Sequence, residues 1–126
     1  MLVDTDVLIW YLRGNERARE AIESLPSFSV SVVTYMELVK GMRNQQELAA
    51  LRRSLKNWNA GVLYINEEIS IKAMFLVERH FLCDSLRLAD ALIASTALAN
   101  GMPVLTANDK HYKAVNQLDI QVFRPK

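Results

Sequence analysis

Met1-Leu2-Val3-Asp4-Thr5-Asp6-Val7-Leu8-Ile9-Trp10-Tyr11-Leu12 opens the chain, and its reading decides the fold. Met1-Leu2-Val3 is a short apolar strand. Asp6 then caps a helix through Val7-Leu8-Ile9-Trp10-Tyr11-Leu12, which Gly14 stops. A strand passing straight into a helix is the first half of a βα unit, and the same alternation continues to the end.

A second helix covers about Glu16 to Leu25 and ends at Pro26, and Phe28-Ser29-Val30-Ser31-Val32 alternates as a strand should. Thr34 caps the next helix, which carries Glu37 and stops near Gly41. Leu48, Leu51, Leu55 and Trp58 mark the segment Gln45 to Trp58 as helical. Val62-Leu63-Tyr64-Ile65 is a strand, followed by an Asn66 cap and a helix from Glu67 to about Leu82. Ser85 caps a helix from Leu86 to Asn100, which Gly101 ends. Pro103-Val104-Leu105-Thr106 is a strand, a last helix starts near Asn108, and Ile120-Gln121-Val122-Phe123 closes as a strand. Strands alternating with helices imply an α/β fold, with a mainly parallel central sheet flanked by helices on both faces. Sites in such sheets form where strands exit into helices.

Length and composition are consistent with this. The 126 residues make one domain able to bury a core without disulfides or a structural metal. Apolar residues are 51% and charged residues 23%, as in a soluble globular protein. No apolar run reaches the roughly 20 residues that span a bilayer, so no membrane association is expected. Asp4 stands where a secretory signal would be basic, and Cys83 is the only cysteine, so a reducing, cytoplasmic location is expected. Net charge is +1, which does not advertise nucleic-acid binding. Neutralising four carboxylates with bound cations would nevertheless leave the remaining surface modestly basic.

The strand-exit rule singles out four acids. Asp4 ends the first strand, and Asp109 follows the strand Val104-Leu105-Thr106. Glu37 lies in the first turn of the helix after Phe28–Val32, and Asp90 in the second turn of the Leu86 helix. Each except Asp4 has an ordinary structural explanation. Thr34-x-x-Glu37 and Thr106-x-x-Asp109 are capping-box patterns, and Asp90 could pair with Arg87 one turn earlier. An acid directly after a buried strand, as Asp4 is, is costly unless capped, paired or metal-bound. Clustered carboxylates repel, and a hard divalent cation relieves that repulsion. Oxygen ligands favour Mg2+, or Mn2+, over zinc. A water activated by such a metal or by a free carboxylate could attack phosphorus in line, with the 3′-oxygen leaving. Catalytic roles are therefore expected for Asp4, Glu37, Asp90 and Asp109.

Other residues are assigned around this core. Thr5, Thr106 and Ser95 could orient carboxylates or merely cap helices. Asp6 is read as a cap with a supporting role. Arg52, Arg53 and Lys56, normally a solvated helix face, and Lys110 are the candidates for contact with a nucleic-acid phosphate backbone. His80 and His111 lack metal-ligand spacing and are read as packing or surface residues, and Cys83 as core. No glycine-rich phosphate loop is present.

Four segments together resemble a known family. Leu2-Val3-Asp4-Thr5-Asp6-Val7-Leu8-Ile9, Ser31-Val32-Val33-Thr34-Tyr35-Met36-Glu37-Leu38-Val39-Lys40-Gly41, Leu88-Ala89-Asp90-Ala91-Leu92-Ile93-Ala94 and Val104-Leu105-Thr106-Ala107-Asn108-Asp109-Lys110-His111-Tyr112 are similar, in order, to the four motifs of PIN domains. The chain resembles in particular the toxin subunits of VapBC-type toxin–antitoxin pairs. The resemblance implies Mg2+- or Mn2+-dependent endoribonuclease activity, a homodimer, inhibition by a cognate antitoxin protein and a bacterial or archaeal cytoplasm. It makes Asp4 and Asp90 direct metal ligands, with Glu37 supporting. The fourth motif departs from the pattern, since many relatives carry an acid where this chain has Asn108. Either Asp109 substitutes with a small shift, or Asn108 holds a metal-bound water and Asp109 is a cap.

Two other functions compete. Asp4-x-Asp6 at a strand end resembles the nucleophile pair of haloacid-dehalogenase-type phosphatases, although the expected lysine and late acid pair have no good candidates. A catalytically inactive PIN-like binding module is the other. A receiver-type signalling module is disfavoured because Asn66, not an aspartate, follows the strand Val62–Ile65.

Overall fold

The computed structural model describes residues 1–126. Five short strands form one parallel sheet in the order β3-β2-β1-β4-β5. They are β1 (Leu2–Val3), β2 (Phe28–Ser31), β3 (Ala60–Leu63), β4 (Val104–Thr106) and β5 (Ile120–Val122). Six helices connect them: α1 (Thr5–Leu12), α2 (Glu16–Glu23), α3 (Val32–Lys40), α4 (Gln45–Asn57), α5 (Glu67–Arg79) and α6 (Leu88–Ala99). A single 3-10 turn, Asp109–Tyr112, lies between β4 and β5. None of the helices is long and apolar enough to cross a membrane.

Side chains of a strand alternate between faces, and here both faces are covered. Val3, Phe28, Val30 and Leu105 enter one core with Val7 and Leu8 of α1, Ile22 of α2, Leu38 of α3, and Leu51 and Leu55 of α4. Leu2 and Val104 enter the other core with Ile93, Ala94 and Ala97 of α6 and with Tyr112, Val115 and Leu118. The three-layer arrangement expected from the alternation of elements is thus present.

Several boundaries differ from the sequence reading, each for a local reason. Asp4, not Asp6, caps α1: its backbone is extended, and its Oδ1 accepts the Thr5 N–H at 2.8 Å. Its own N–H is still in the sheet, bonded to the Leu105 carbonyl, so strand and helix meet at this one residue. Ser31, not Thr34, caps α3 by accepting the Val33 N–H, so the helix starts earlier and Glu37 falls in its second turn. The Thr34–Glu37 capping box therefore does not form. Asn59 adopts a left-handed conformation (φ 54°) just after α4 and launches β3 at Ala60, two residues before the apolar run that suggested it. Helix α5 stops at Arg79 rather than Leu82. Helix α6 begins at Leu88 with Arg87, not Ser85, at its cap, because the Ser85 hydroxyl is engaged with the Cys83 thiol. Cys83 is half-buried rather than core. The last helix is only the 3-10 turn.

Topology places the site. The chain leaves β1 toward β2 and β3 on one side, then returns to β4 and β5 on the other. The crevice beyond the C-terminal ends of β1 and β4 is the reversal point at which parallel sheets bind ligands.

Candidate functional site

Asp4 lies at this crevice and is buried, with 5% of its surface exposed. A buried carboxylate needs donors, and the fold supplies three. Besides Thr5 N–H, its Oδ2 accepts Thr106 Oγ1 at 2.8 Å and the Tyr112 hydroxyl at 3.0 Å. Even so, burial outweighs the hydrogen bonds and pushes the Asp4 carboxyl above its ordinary range, with the Asp90 charge adding to the rise. Burial and the surrounding carboxylates push the Tyr112 phenol upward as well, so it stays a neutral donor.

Asp6 bridges the two strand exits. Its Oδ2 accepts the Ala107 N–H at 2.9 Å and its Oδ1 the Val7 N–H at 2.8 Å. Burial, then the neighbouring Asp4 charge, raises its carboxyl to about 7. Thr106 relays between the groups, donating to Asp4 while accepting the Asn108 N–H at 2.9 Å.

Glu37 reaches the crevice from α3. Thr5 Oγ1 is placed 2.7 Å from Glu37 Oε1 and 3.0 Å from Thr34 Oγ1, so one hydroxyl ties α1 to α3. Asp90 comes from the first turn of α6, where its Oδ2 accepts the Arg87 backbone N–H at 2.9 Å. The expected Asp90–Arg87 contact exists, but through the backbone and not the guanidinium. His111 Nδ1 lies 3.5 Å from the same carboxylate oxygen. Small residues Ala91, Ala94 and Ala97, all buried, let α6 lie close to the sheet and carry Asp90 inward.

Asp4, Thr5, Asp6, Glu37, Asp90 and Asn108 thus line one cleft of about 220 Å³. Asp109 does not line it. Its carboxylate is held at 3.0 Å by Arg124, which also donates to the Ala107 carbonyl, and it faces an adjoining hollow with Lys110. The Arg124 guanidinium holds the Asp109 carboxyl below its ordinary range. The Thr106–Asp109 capping box is not formed. Arg52, Arg53 and Lys56 lie exposed on α4 and line neither hollow. Ser95 is fully buried, and its hydroxyl has no partner.

Tyr112, Arg124 and the cleft-facing position of His111 were not predicted as site features from the sequence. Tyr112 had a signal, being at the end of the fourth motif-like segment. Arg124 had none, because its role depends on β5 returning alongside β4.

Carboxylate and hydroxyl oxygens dominate the donors of the cleft, with His111 Nδ1 the one imidazole nitrogen beside them. No group of three or more His, Cys, Asp or Glu side chains is close enough, as the side chains stand, to hold a metal ion. Asp90 Oδ1 and Glu37 Oε2 accept no hydrogen bond within the chain. A divalent cation fits the chemistry of this set, because Asp4, Asp6, Glu37 and Asp90 bring four carboxylates to one cleft and such an ion neutralises them.

A family model for the PIN domain matches residues 1–118. The chain is 28% identical over 127 residues to "Ribonuclease VapC1" of Methanocaldococcus jannaschii, covering 98% of this chain and 86% of that protein. It is 33% identical over 124 residues to "Ribonuclease VapC10" of Mycobacterium tuberculosis, covering 94% and 90%. Among solved structures, a chain of a toxin–antitoxin complex from Klebsiella pneumoniae superposes with a TM-score of 0.80 at 25% identity, covering 99% of this chain and 97% of that one.

Proposed function

Because the chain belongs to the PIN-domain family, of the VapC toxin type, we propose that it is a metal-dependent endoribonuclease, the toxin of a toxin–antitoxin pair. The observation that carries this reading is the convergence of Asp4, Glu37 and Asp90 from three separate elements on one cleft at the sheet's reversal point. Relatives at 28% and 33% identity bear the name ribonuclease, and the similar Klebsiella chain belongs to a toxin–antitoxin complex.

Asp4 and Asp90 would hold Mg2+ or Mn2+, with Glu37 in support. When bound, the cation supplies Lewis-acid polarisation of a phosphate oxygen and makes water a better nucleophile at neutral pH. Thr106 and Tyr112 fix the Asp4 carboxylate so that it needs no reorganisation when substrate arrives. Thr5 aims Glu37, whose free Oε2 would accept a proton from the attacking water. Water oxygen would then bond to phosphorus as the bond to the 3′-oxygen breaks, and the departing 3′-oxygen would take a proton from solvent, leaving a 5′-phosphate and a 3′-hydroxyl. Asp6 bridges β1 to β4 and holds the cleft's two walls in register. Asp109, paired with Arg124, acts outside the ligand set, and Asn108 takes the fourth position on the cleft wall.

A phosphatase of the haloacid-dehalogenase type is disfavoured because no lysine lines the acid cleft. The proposal carries with it a cytoplasmic location, a cognate antitoxin and a homodimer.

The test is incubation of purified protein, free of antitoxin, with total cellular RNA in Mg2+, Mn2+ or chelator, beside Asp4→Asn and Asp90→Asn. Metal-dependent cleavage lost in both variants supports the reading. Folded protein that cleaves no RNA with either metal overturns it in favour of a binding module. Hydrolysis of a phosphomonoester instead would favour the phosphatase.

A further inference from the structure

The acid cleft continues into a second, larger hollow of about 620 Å³, the size of nucleotide-scale binding pockets. Arg87, Asn108 and His111 border both, so the two form one trough. The second hollow differs in charge from the first. Arg87, Lys110 and Arg124 wall it, against the carboxylates of Asp84 and Asp109. Asp109 is already engaged by Arg124. Arg87 and Lys110 make no ion pair within the chain, so their charges are unspent.

An acid cleft alone repels a polyanion. A strand of RNA entering it needs compensating cations within one nucleotide of the reacting phosphate, and this hollow is where the trough provides them. The hollow also lacks what a base-reading site has. No Phe, Tyr or Trp lines either part of the trough, and its one aromatic ring, His111, sits with Nδ1 3.5 Å from Asp90 Oδ2, so there is no broad platform for stacking. Arginine presents several N–H donors in a fixed fork suited to phosphate, and Arg124 spends one nitrogen on Asp109 and the Ala107 carbonyl while keeping the others. Asp109 then serves as the counter-ion that keeps this guanidinium at the hollow's edge.

We infer that Arg87, Lys110 and Arg124 form a phosphate subsite that grips the backbone phosphate adjoining the one cleaved, without reading its base. The inference rests on the ribonuclease reading. It makes these residues positioning groups that act through substrate binding.

The test is steady-state cleavage of a single-stranded RNA oligonucleotide in Mg2+ by the wild-type protein, Arg87→Gln, Lys110→Gln and the double variant. Arg17→Gln, on α2 and lining neither hollow, is the charge-matched control. KM should rise roughly fivefold for each cation removed, about the most an exposed charge pair provides, with kcat changed much less. The dependence of log KM on log salt should flatten by about 0.7 per cation removed. Changing the base at the neighbouring nucleotide should leave KM unaltered, whereas an uncharged methylphosphonate at the adjoining linkage should raise the wild-type KM more than that of the double variant, which keeps only Arg124. Unchanged KM and salt slope in the double variant, with wild-type cleavage intact, overturns the subsite and leaves the ribonuclease reading standing. A loss confined to kcat does the same. Absence of RNA cleavage by the wild-type protein overturns both.

Discussion

Replacing Tyr112 with phenylalanine removes one hydrogen bond to a buried carboxylate and almost nothing else. The ring is fully buried in the core beside Ile93 and Val104, so the phenyl group keeps its packing and no cavity opens. What is lost is the 3.0 Å bond from the phenol to Asp4 Oδ2. A hydrogen bond to a charged group contributes about 1.5–3 kcal/mol, against about 0.5–1.5 kcal/mol for a neutral pair. The cost of the substitution should therefore depend on the charge of Asp4. The folded-state carboxyl of Asp4 already titrates above its ordinary value of 3.8, and losing the donor moves it further up. A raised carboxyl contributes stability that is complete below 3.8 and is lost as pH rises through the folded-state value. The variant loses more on that rise than the wild type does. The destabilisation by Tyr112→Phe should thus be about 1 kcal/mol near pH 3 and grow by about 1–2 kcal/mol once the pH has risen through the Asp4 titration. Urea denaturation in chelator across this range measures it. A destabilisation equal at both ends of the range would refute the claim that Tyr112 acts on the charged form of Asp4.

Asp6 offers a second titration. With its carboxyl raised from 3.8 to about 7, it contributes stability below pH 3.8 that is lost as pH rises through 7. Metal-free wild-type protein should lose up to about 4 kcal/mol across that window, and Asp6→Asn should flatten the profile in the same denaturation series. Thr106→Val, which removes a donor to Asp4 and leaves the Asn108 N–H unpaired, should cost about 2 kcal/mol or more by the same measurement. Asp109→Asn, which loosens only a partly exposed pair with Arg124, should cost under about 1 kcal/mol in a thermal melt. It should also keep cleavage within about tenfold of wild type, whereas Asp4→Asn should remove it by more than about a hundredfold.

The acids at strand exits were legible because topology forces them together. A residue directly after a buried parallel strand can only enter the crevice, and Asp4 does. The expectation that Asp109 would join it failed because the direction of a side chain after a strand depends on the next turn. Here a 3-10 turn and the Arg124 guanidinium from beyond β5 draw it outward. The choice of cap was ambiguous for a related reason. Asp4 and Asp6, or Ser31 and Thr34, are equally good capping residues by type, and the decision falls to where the sheet hydrogen bonds end. Glu37 was placed in the right helix but explained by a capping box that does not form. Its actual anchor is Thr5, a residue already read as able to orient a carboxylate, but the partners lie 32 residues apart and their pairing is invisible to local pattern. The basic wall of Arg87, Lys110 and Arg124 was missed as a unit because its members come from three parts of the chain.

End-group analysis of the RNA products tests the central claim most directly. A single-stranded RNA would be treated with wild-type protein in Mg2+, in Mn2+ and in chelator, with Asp4→Asn alongside, and a second substrate would carry a 2′-deoxy sugar at the cleaved position. The account predicts 5′-phosphate and 3′-hydroxyl ends that appear only with metal, that vanish in Asp4→Asn and that still form on the 2′-deoxy substrate, because water and not the ribose hydroxyl attacks. Cleavage that persists in chelator and leaves 2′,3′-cyclic phosphate ends would contradict it.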